Sequence, residues 1–537
     1  MIRGGDVQRD VLVIGGGIAG MQTALVLAGK DRRVFVVESA PAVGGFFPLL
    51  DRQFPTNSCG VCFMSPRPRA VCPMYEADFH RDIELLTNSE VVSVDGKSGD
   101  FKVTVKHRPT RVHAGKCTLC GKCEEVCPVE VARELGDGVE KRKAIYMPFP
   151  RAVPRSYVVD EGACTRCGAC AEACPVDAVE LEEKESQKTL DVGAVVLAFG
   201  FEPFEAERKG EFGLGRYANV VTGIQYERML SYSSPGKGVP RRPSDGRVPR
   251  KVAFIQCVGS RDLTCDAGYC STVCCMYATK QAVVSSDRVG GMDAAVFYMD
   301  MRAVGKNYER YYETAKEQYG VRYLRSSIST LRELKRTGNL LIEYCTDDGQ
   351  RKAEEFDMVV LSVGFAAPKS VRELAGRMGV ELNEYGFCAT NEFKPTQTSV
   401  PGVFVAGAFR GPRDIPETVV EGCSAAADVA GLLDSFEGRA GKKAPAASED
   451  LSSEFVPRVG VFLCELKGKL SEALDLDALA EKARAGRGVV CVERVDVGDI
   501  WEALKTVDAK ARECGVNRVV LAGYRVLEMT KAARTEG

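Results

Sequence analysis

Two cysteine runs restrict this chain more than any other feature. They are Cys117-x2-Cys120-x2-Cys123-x3-Cys127-Pro128 and Cys164-x2-Cys167-x2-Cys170-x3-Cys174-Pro175. Three thiolates at this spacing can wrap one corner of an iron–sulfur cubane. The fourth, followed by proline, turns away and reaches a second cluster. The spacing therefore predicts one [4Fe-4S] cluster on Cys117, Cys120, Cys123 and Cys174, and a partner on Cys164, Cys167, Cys170 and Cys127. A pair of zinc knuckles is the plain alternative, but a four-ligand zinc site gains nothing from a doubled run with two prolines. Such a chain moves electrons one at a time.

At 537 residues, the usual domain size of roughly 100–200 residues predicts about three or four domains. A net charge of −2 gives no reason to expect nucleic acid or an anionic membrane as partner. No apolar run approaches the roughly 20 residues a spanning helix needs. Met1 to Asp10 is polar and leads straight into a strand pattern, so no signal peptide is expected. Without one, 22 cysteines read as cluster ligands in a reducing cytoplasm, not as disulfides. Three histidines, His80, His107 and His113, leave little material for His-based metal catalysis.

The N-terminal part reads as a strand–helix–strand unit. Val11-Leu-Val-Ile14 is a short buried-strand run, Gly15, Gly17 and Gly20 form G-x-G-x-x-G, and Val34-Phe-Val-Val37 ends in Glu38. The glycines allow a pyrophosphate to approach a helix N-terminus, and Glu38 stands where an acid accepts ribose hydroxyls. Gly44-Gly45 resembles the second glycine pair of FAD-binding two-dinucleotide flavoproteins. Val195 to Gly200 and Val359 to Gly364 resemble that group's strand–glycine crossings, and Val403 to Gly407 its final FAD strand. The group usually has Asp after this last glycine. Here Ala408 follows Gly407, which puts a side-chain contact to the ribityl chain in doubt. The expected fold is α/β: a two-dinucleotide-binding, thioredoxin-reductase-like flavoprotein with an inserted two-cluster ferredoxin domain and a small C-terminal α/β domain.

A second nucleotide loop is expected after the strand Lys251-Val-Ala-Phe-Ile-Gln256, but Cys257-Val-Gly-Ser-Arg261 follows with no third glycine. A strand near 295–299 and Asp300 keep the second half of the unit. This argues against direct NAD(P)H oxidation. Cys257, with Cys270, Cys274 and Cys275, supplies four thiolates near a helix start, which predicts a third [4Fe-4S] cluster; buried structural thiols are the alternative. Cys265 is spare. Cys59, Cys62 and Cys72 are read either as ligands of a fourth cluster or as partial ligands at a subunit contact. Cys345, Cys388 and Cys423 read as core, and Cys464, Cys491 and Cys514 as buried thiols.

These patterns divide the chain into 1–106 (first FAD part), 107–185 (ferredoxin insert), 186–250 (FAD domain continued), 251–365 (second Rossmann-like domain), 366–435 (last FAD part), a linker at 436–456, and 457–537 (C-terminal α/β domain).

Gln256-Cys-Val-Gly-Ser-Arg-Asp262 and Tyr269-Cys-Ser-x2-Cys-Cys-Met276-x3-Lys280 resemble the HdrA subunit of heterodisulfide reductase and its bacterial relatives. Phe54-Pro-Thr-Asn-x-Cys59-x2-Cys62 and Gly411-Pro-Arg-Asp-Ile-Pro416 are similar to HdrA segments, and the resemblance covers about residues 8–435. It implies FAD, [4Fe-4S] clusters and flavin-based electron bifurcation between a donor, ferredoxin and a second acceptor. It places Lys280 by the flavin N5 as the catalytic residue; a helix-surface lysine is the alternative. It implies homo-oligomerisation and partners such as HdrB/HdrC-like or MvhD-like subunits, ferredoxin, and a hydrogenase or formate dehydrogenase. Family members from methanogens carry an N-terminal cluster domain and a second C-terminal ferredoxin; here residues 457–537 look like a relocated, degenerate copy of the first, and the second is not seen. Rival readings are an NAD(P)H-dependent reductase like the small subunit of glutamate synthase, and a wiring module of a quinone-linked or aromatic-ring-reducing complex.

Overall fold

Four apolar residues without alternation suit a strand buried on both faces, as the centre of a parallel sheet requires. That strand, β1 (Val11–Ile14), runs through the glycine loop into helix α1 (Ile18–Ala28) and returns as β2 (Val34–Val37). They lie within a five-stranded parallel sheet of order Val403–Val405, Ala194–Leu197, β1, β2, Ile83–Leu86. The computed structural model describes residues 10–54, 72–133, 141–150, 152–232, 234–440, 457–466, 468, 470–498, 500–523, 526 and 529.

The helix Ile415–Ala440 packs along α1 and closes one face of this sheet. It runs into the stretch 436–456 expected to be linker. The apolar stripe Val429, Leu433, Phe436 carries on past residue 435, and Phe436 packs on the same core, so the helix has reason to continue. Residues 441–456 lie outside the described residues.

An antiparallel three-stranded sheet of order Ser186–Val192, Asp100–His107, Ser89–Lys97 carries the insert. The chain leaves it at His107 and returns at Ser186, its pairing partner. Between them lie two one-turn helices, Lys122–Glu125 and Ala169–Glu172. Each is preceded by a glycine in the left-handed region, Gly121 (φ 82°) and Gly168 (φ 85°), which lets a cysteine loop close tightly.

The second large sheet has the order Val220–Thr222, Met358–Val363, β3 (Lys251–Val258), Asp293–Tyr298, Arg322–Leu334, Asn339–Thr346, Arg351–Phe356. Its first five strands run parallel and the last two are antiparallel. Helix α2 (Gly223–Leu230), opened by a reciprocal Thr222–Gln225 capping box, packs against helix α3 (Cys274–Val289) on this sheet.

At the C-terminus, Val489–Asp496, Val459–Glu465 and Arg518–Gly523 form a parallel sheet with helices Leu476–Arg484 and Ile500–Glu513. Phe462, Cys464 and Val495 share one apolar cluster with Val112, Ile145 and Tyr157 of the insert. No helix among the described residues is long and apolar enough to cross a membrane.

Candidate cofactor cavity and cysteine sites

A cavity of about 630 Å³ is lined from both large sheets. The three fingerprint glycines do three different things around it. Gly15 holds φ +111°, and a Cβ there would strike the Ala198 carbonyl. A Cβ at Gly20 would run into the Gly15 carbonyl oxygen, so this glycine lets α1 pack tightly on β1. Gly17, the N-cap of α1, has nothing within 4 Å of its Cβ position and borders the cavity. The first turn of α1 carries no acidic residue, so its free N–H groups offer an anion site.

Gly44 donates its N–H to Gly16 O at 2.7 Å, and a Cβ on Gly45 would lie 3.5 Å from Gly17 Cα. The second glycine pair thus sits on the fingerprint loop. Glu38 lines the cavity, while its carboxylate accepts from the N–H groups of Gly16 (2.7 Å) and Ala40 (2.8 Å). A dinucleotide fits this arrangement: an open helix N-terminus, a close backbone approach and an anchored acid beyond it. Gly407 precedes the cavity-lining Ala408, and a Cβ there would lie 2.8 Å from the Ala19 methyl, so this glycine allows the strand end to pack closely on α1.

Lys280 is not a surface lysine. It is 3 % exposed, borders the cavity, forms an ion pair with Glu227 and donates to Arg52 O at 3.0 Å. Glu227 also accepts from Asp51 N (2.8 Å) and from Gln281 Nε2 (3.0 Å). Gln281 Nε2 donates to Gly223 O as well (2.8 Å), which fixes the amide orientation. Gln281 Oε1 then has no partner among the described residues, although Gln281 is 2 % exposed and lines the cavity. An acceptor orphaned in this way suits a ligand N–H donor. Sequence reasoning missed both Glu227 and Gln281. Tyr226-Glu-Arg-Met229 looks like an ordinary amphipathic turn, and only the position of Gln281 next to Lys280 could have hinted at it.

The cysteines gather in fours. Cys127, Cys164, Cys167 and Cys170 line one small cavity walled by Ile145 and Val159. Cys117, Cys120 and Cys174 are the sulfur neighbours of Cys123, whose thiol is pushed up to about 12, first by burial and then by Cys117. Arg166 N donates to Cys164 Sγ (3.3 Å) and Ala178 N to Cys174 Sγ (3.2 Å). A second small cavity is lined by Cys257, Cys270, Cys274 and Cys275 with Arg261 and Asp300. Burial, reinforced by Cys275, raises Cys257 to about 11, and burial holds Cys274 well above its ordinary value. Thiolates crowded this closely need positive charge among them. Among the described residues, no three His, Cys, Asp or Glu side chains converge as ligands of a single ion. Four cysteines around each of the two small cavities match the ligand count of a [4Fe-4S] cluster. Cys265 is buried in the apolar core outside this ring. Cys72 is buried at the N-cap of the helix Pro73–Phe79, and Cys59 and Cys62 lie outside the described residues.

One residue separates the two kinds of site. Thr272 borders both the large cavity and the cysteine cavity. Beyond it, Val273, Met276, Tyr277 and Lys280 line the large cavity, while Cys274 and Cys275 line the small one.

The sequence matches the pyridine nucleotide-disulphide oxidoreductase family over residues 9–120 and 169–426, and the 4Fe-4S dicluster domain over 116–178. The chain belongs to the pyridine nucleotide-disulphide oxidoreductase family. The first match implies FAD and the second a [4Fe-4S] cluster. The chain is 42% identical over 433 residues (80% of this chain, 65% of the relative) to the second A-type iron-sulfur subunit of CoB--CoM heterodisulfide reductase from Methanopyrus kandleri. It is 38% identical over 429 residues (79% and 64%) to the A-type subunit of the H(2):CoB-CoM heterodisulfide,ferredoxin reductase from Methanothermobacter thermautotrophicus. The resemblance to HdrA thus extends well beyond the cysteine motifs. The chain spans just under two thirds of the length of these curated relatives. Among solved structures, T. acidophilum thioredoxin reductase aligns with a TM-score of 0.44 at 16% identity, covering 80% of this chain and 100% of that one.

Proposed function

We propose that this chain is the flavin and iron–sulfur electron-transfer subunit of a heterodisulfide-reductase-like complex. In this reading FAD lies along Gly15, Gly17, Gly20, Glu38 and Gly44-Gly45. Three [4Fe-4S] clusters are held by Cys117, Cys120, Cys123 and Cys174; by Cys127, Cys164, Cys167 and Cys170; and by Cys257, Cys270, Cys274 and Cys275. FAD so placed supplies two-electron storage, and the clusters supply single-electron transfer. The observation that carries the reading is the shared wall: Thr272 borders both the large cavity and the third cysteine ring, so the two groups would sit within tunnelling reach.

The protein's own residues bind and orient. The open N-terminus of α1 receives the pyrophosphate, and Glu38 receives ribose hydroxyls. Lys280 holds a buried positive charge in the wall of the same cavity, balanced by Glu227.

The finer reading is bifurcation, in which electron pairs from one donor divide between ferredoxin and a second acceptor. It is supported by relatives whose names couple heterodisulfide and ferredoxin reduction. The partners are then HdrB/HdrC-like or MvhD-like subunits, ferredoxin and a hydrogenase or formate dehydrogenase.

An NAD(P)H-dependent reductase is disfavoured by β3. At its end, where related flavoproteins present a nucleotide-binding glycine loop, the four cysteines close around their own cavity. Gly259 there holds φ +68° under the Phe204 ring, which would meet any added Cβ. Anaerobic titration of the oxidised protein with NADH tests the choice. The expected result is no bleaching of the flavin band. Stoichiometric bleaching would make the chain a self-sufficient reductase.

A further inference from the structure

We infer that Asp51 and Arg288 form a clasp that positions Lys280 at the flavin, by tying the segment Leu50 to Phe54 of the first FAD part onto α2 and α3. The inference rests on the proposed reading in which FAD fills the large cavity. Both are positioning residues that act through the groups they hold.

Asp51 is 1% exposed, and a carboxylate buried this far is stable only when paired. Its partner comes from the last turn of α3. Arg288 Nη2 donates to Asp51 Oδ1 and Oδ2, at 2.8 Å each. Arg52 Nε adds a longer contact to Oδ2 at 3.2 Å. The other end of the Arg288 guanidinium is also used. Its Nη1 donates to Leu230 O, at the end of α2, and to Gly238 O at 3.2 Å. The guanidinium carbon lies 4.6 Å from the centroid of the Tyr232 ring. One side chain thus joins the end of α3, the end of α2 and a segment more than 200 residues earlier in the chain.

That segment carries the backbone groups that touch the buried ion pair. Asp51 N donates to Glu227 Oε1 at 2.8 Å, and Arg52 O accepts from Lys280 Nζ at 3.0 Å. Phe54 pins the far end, with its ring edge-to-face against Tyr308 (4.6 Å) and Tyr311 (4.9 Å). Leu50, Arg52 and Phe54 line the cavity together with Lys280. If the segment loosens, Lys280 loses a carbonyl that fixes its position, Glu227 loses a donor, and the cavity wall opens. Water admitted there screens the ammonium, whose field is strong only in a dry site. Glu227, short of a donor, is less neutralised. Reduction adds negative charge to the flavin, so both effects disfavour it. The clasp therefore keeps the flavin potential high.

The test is a spectroscopic redox titration of the flavin in the full chain, purified anaerobically. Asp51→Asn and Arg288→Gln remove charges of opposite sign. A direct field on the flavin would move the potential up in the first and down in the second. Loss of the clasp moves both down, by about tenfold in the two-electron equilibrium, a fall of about 30 mV. The double variant should fall no further than the lower single variant, because both break one contact. Arg288→Lys keeps the charge, but one ammonium cannot serve Asp51, Leu230 O and Gly238 O as the guanidinium does. It should show a smaller fall. If the other variants release FAD, Arg288→Lys carries the test, and an unshifted potential there overturns the clasp. Lys280→Ala checks the ground beneath the inference. If it leaves the potential unchanged, the flavin does not lie by Lys280, and the reading of the cavity fails together with the clasp. If Lys280→Ala lowers the potential but Asp51→Asn and Arg288→Gln do not fall together, the clasp alone is overturned.

Discussion

Lys280 and Glu227 form an ion pair buried in the wall of the cofactor cavity, with side chains 3% and 2% exposed. Lys280→Ala therefore does more than remove a positive charge near the flavin. Among the described residues, it leaves the buried Glu227 carboxylate with Asp51 N and Gln281 Nε2 as its donors. Breaking a buried pair from one side typically costs about 3–5 kcal/mol. We expect a lower melting temperature and a lower two-electron flavin potential, since net negative charge then faces the cavity. Glu227→Gln should move the potential upward while preserving most hydrogen bonds. Lys280→Met combined with Glu227→Gln should recover much of the lost stability. Melting curves for the four proteins, with a flavin titration of each, check all three statements. If Lys280→Ala and Glu227→Gln shift the potential in the same direction, the charge argument is wrong.

Iron content separates the cysteine assignments. Three sites of four cysteines each predict about twelve iron per chain, with one FAD, in anaerobically purified protein. A value near eight would remove the ring of Cys257, Cys270, Cys274 and Cys275. A value near sixteen would promote Cys59, Cys62 and Cys72. Within the insert, Cys127→Ser should disturb the cluster of the other run, because Cys127 shares its cavity with Cys164, Cys167 and Cys170. A variant that perturbs only the Cys117 group would place Cys127 on its own run.

These relations differ in how visible they are in the sequence. The glycine fingerprint and the cysteine runs are local patterns whose chemistry depends on spacing, so their residues can be named before any fold is known. The exchange of Cys127 between runs is legible for the same reason: the following Pro128 turns the chain. Glu227 is not legible. Its partner Lys280 is 53 residues away on another helix, and only packing of α2 on α3 makes the two charges meet. Arg302 has the same character: it lies in a loop after the strand Asp293–Tyr298 and reads as surface charge until the fold sets it around one small cavity with Cys257 at the end of β3 and Cys270 in the loop before α3. Gly407 is only partly legible: a glycine after a strand can serve a ligand or a neighbouring helix, and its close approach to Ala19 shows only in the fold. The end of Ile415–Ala440 is hidden by Gly, Ala and Lys composition, which masks the core contact of Phe436.

Cys388 gives a pH-dependent check away from the cysteine rings. Burial pushes its thiol up to about 12, with Arg410 pulling weakly the other way, and it is 2% exposed. The folded value lies above the unfolded value of about 9, so folding favours the neutral thiol. Its contribution is complete below about pH 9 and is lost as pH rises toward about 12. Urea melts of wild type and Cys388→Val should therefore converge in their pH dependence below about pH 9. Above it, wild type should lose stability more steeply. Parallel curves across the alkaline range would mean that this thiol ionises as easily in the folded protein as in the unfolded chain.

Gly17 and Gly20 separate cofactor binding from folding within a single loop. At Gly17 a Cβ meets nothing within 4 Å, and φ is −76°, which any residue adopts. Gly17→Val should therefore fold, keep the iron of the insert and lose FAD, because its side chain would fill the space into which the helix N-terminus opens. At Gly20 a Cβ would strike the Gly15 carbonyl oxygen, so even Gly20→Ala must push α1 away from β1. That variant should lose both FAD and stability, with a melting transition well below that of Gly17→Val. Flavin absorbance after gel filtration and circular dichroism melts read the two effects separately. Retention of FAD by Gly17→Val would remove the pyrophosphate from the N-terminus of α1. Loss of all iron in the same variant would mean that the insert does not fold around its own clusters.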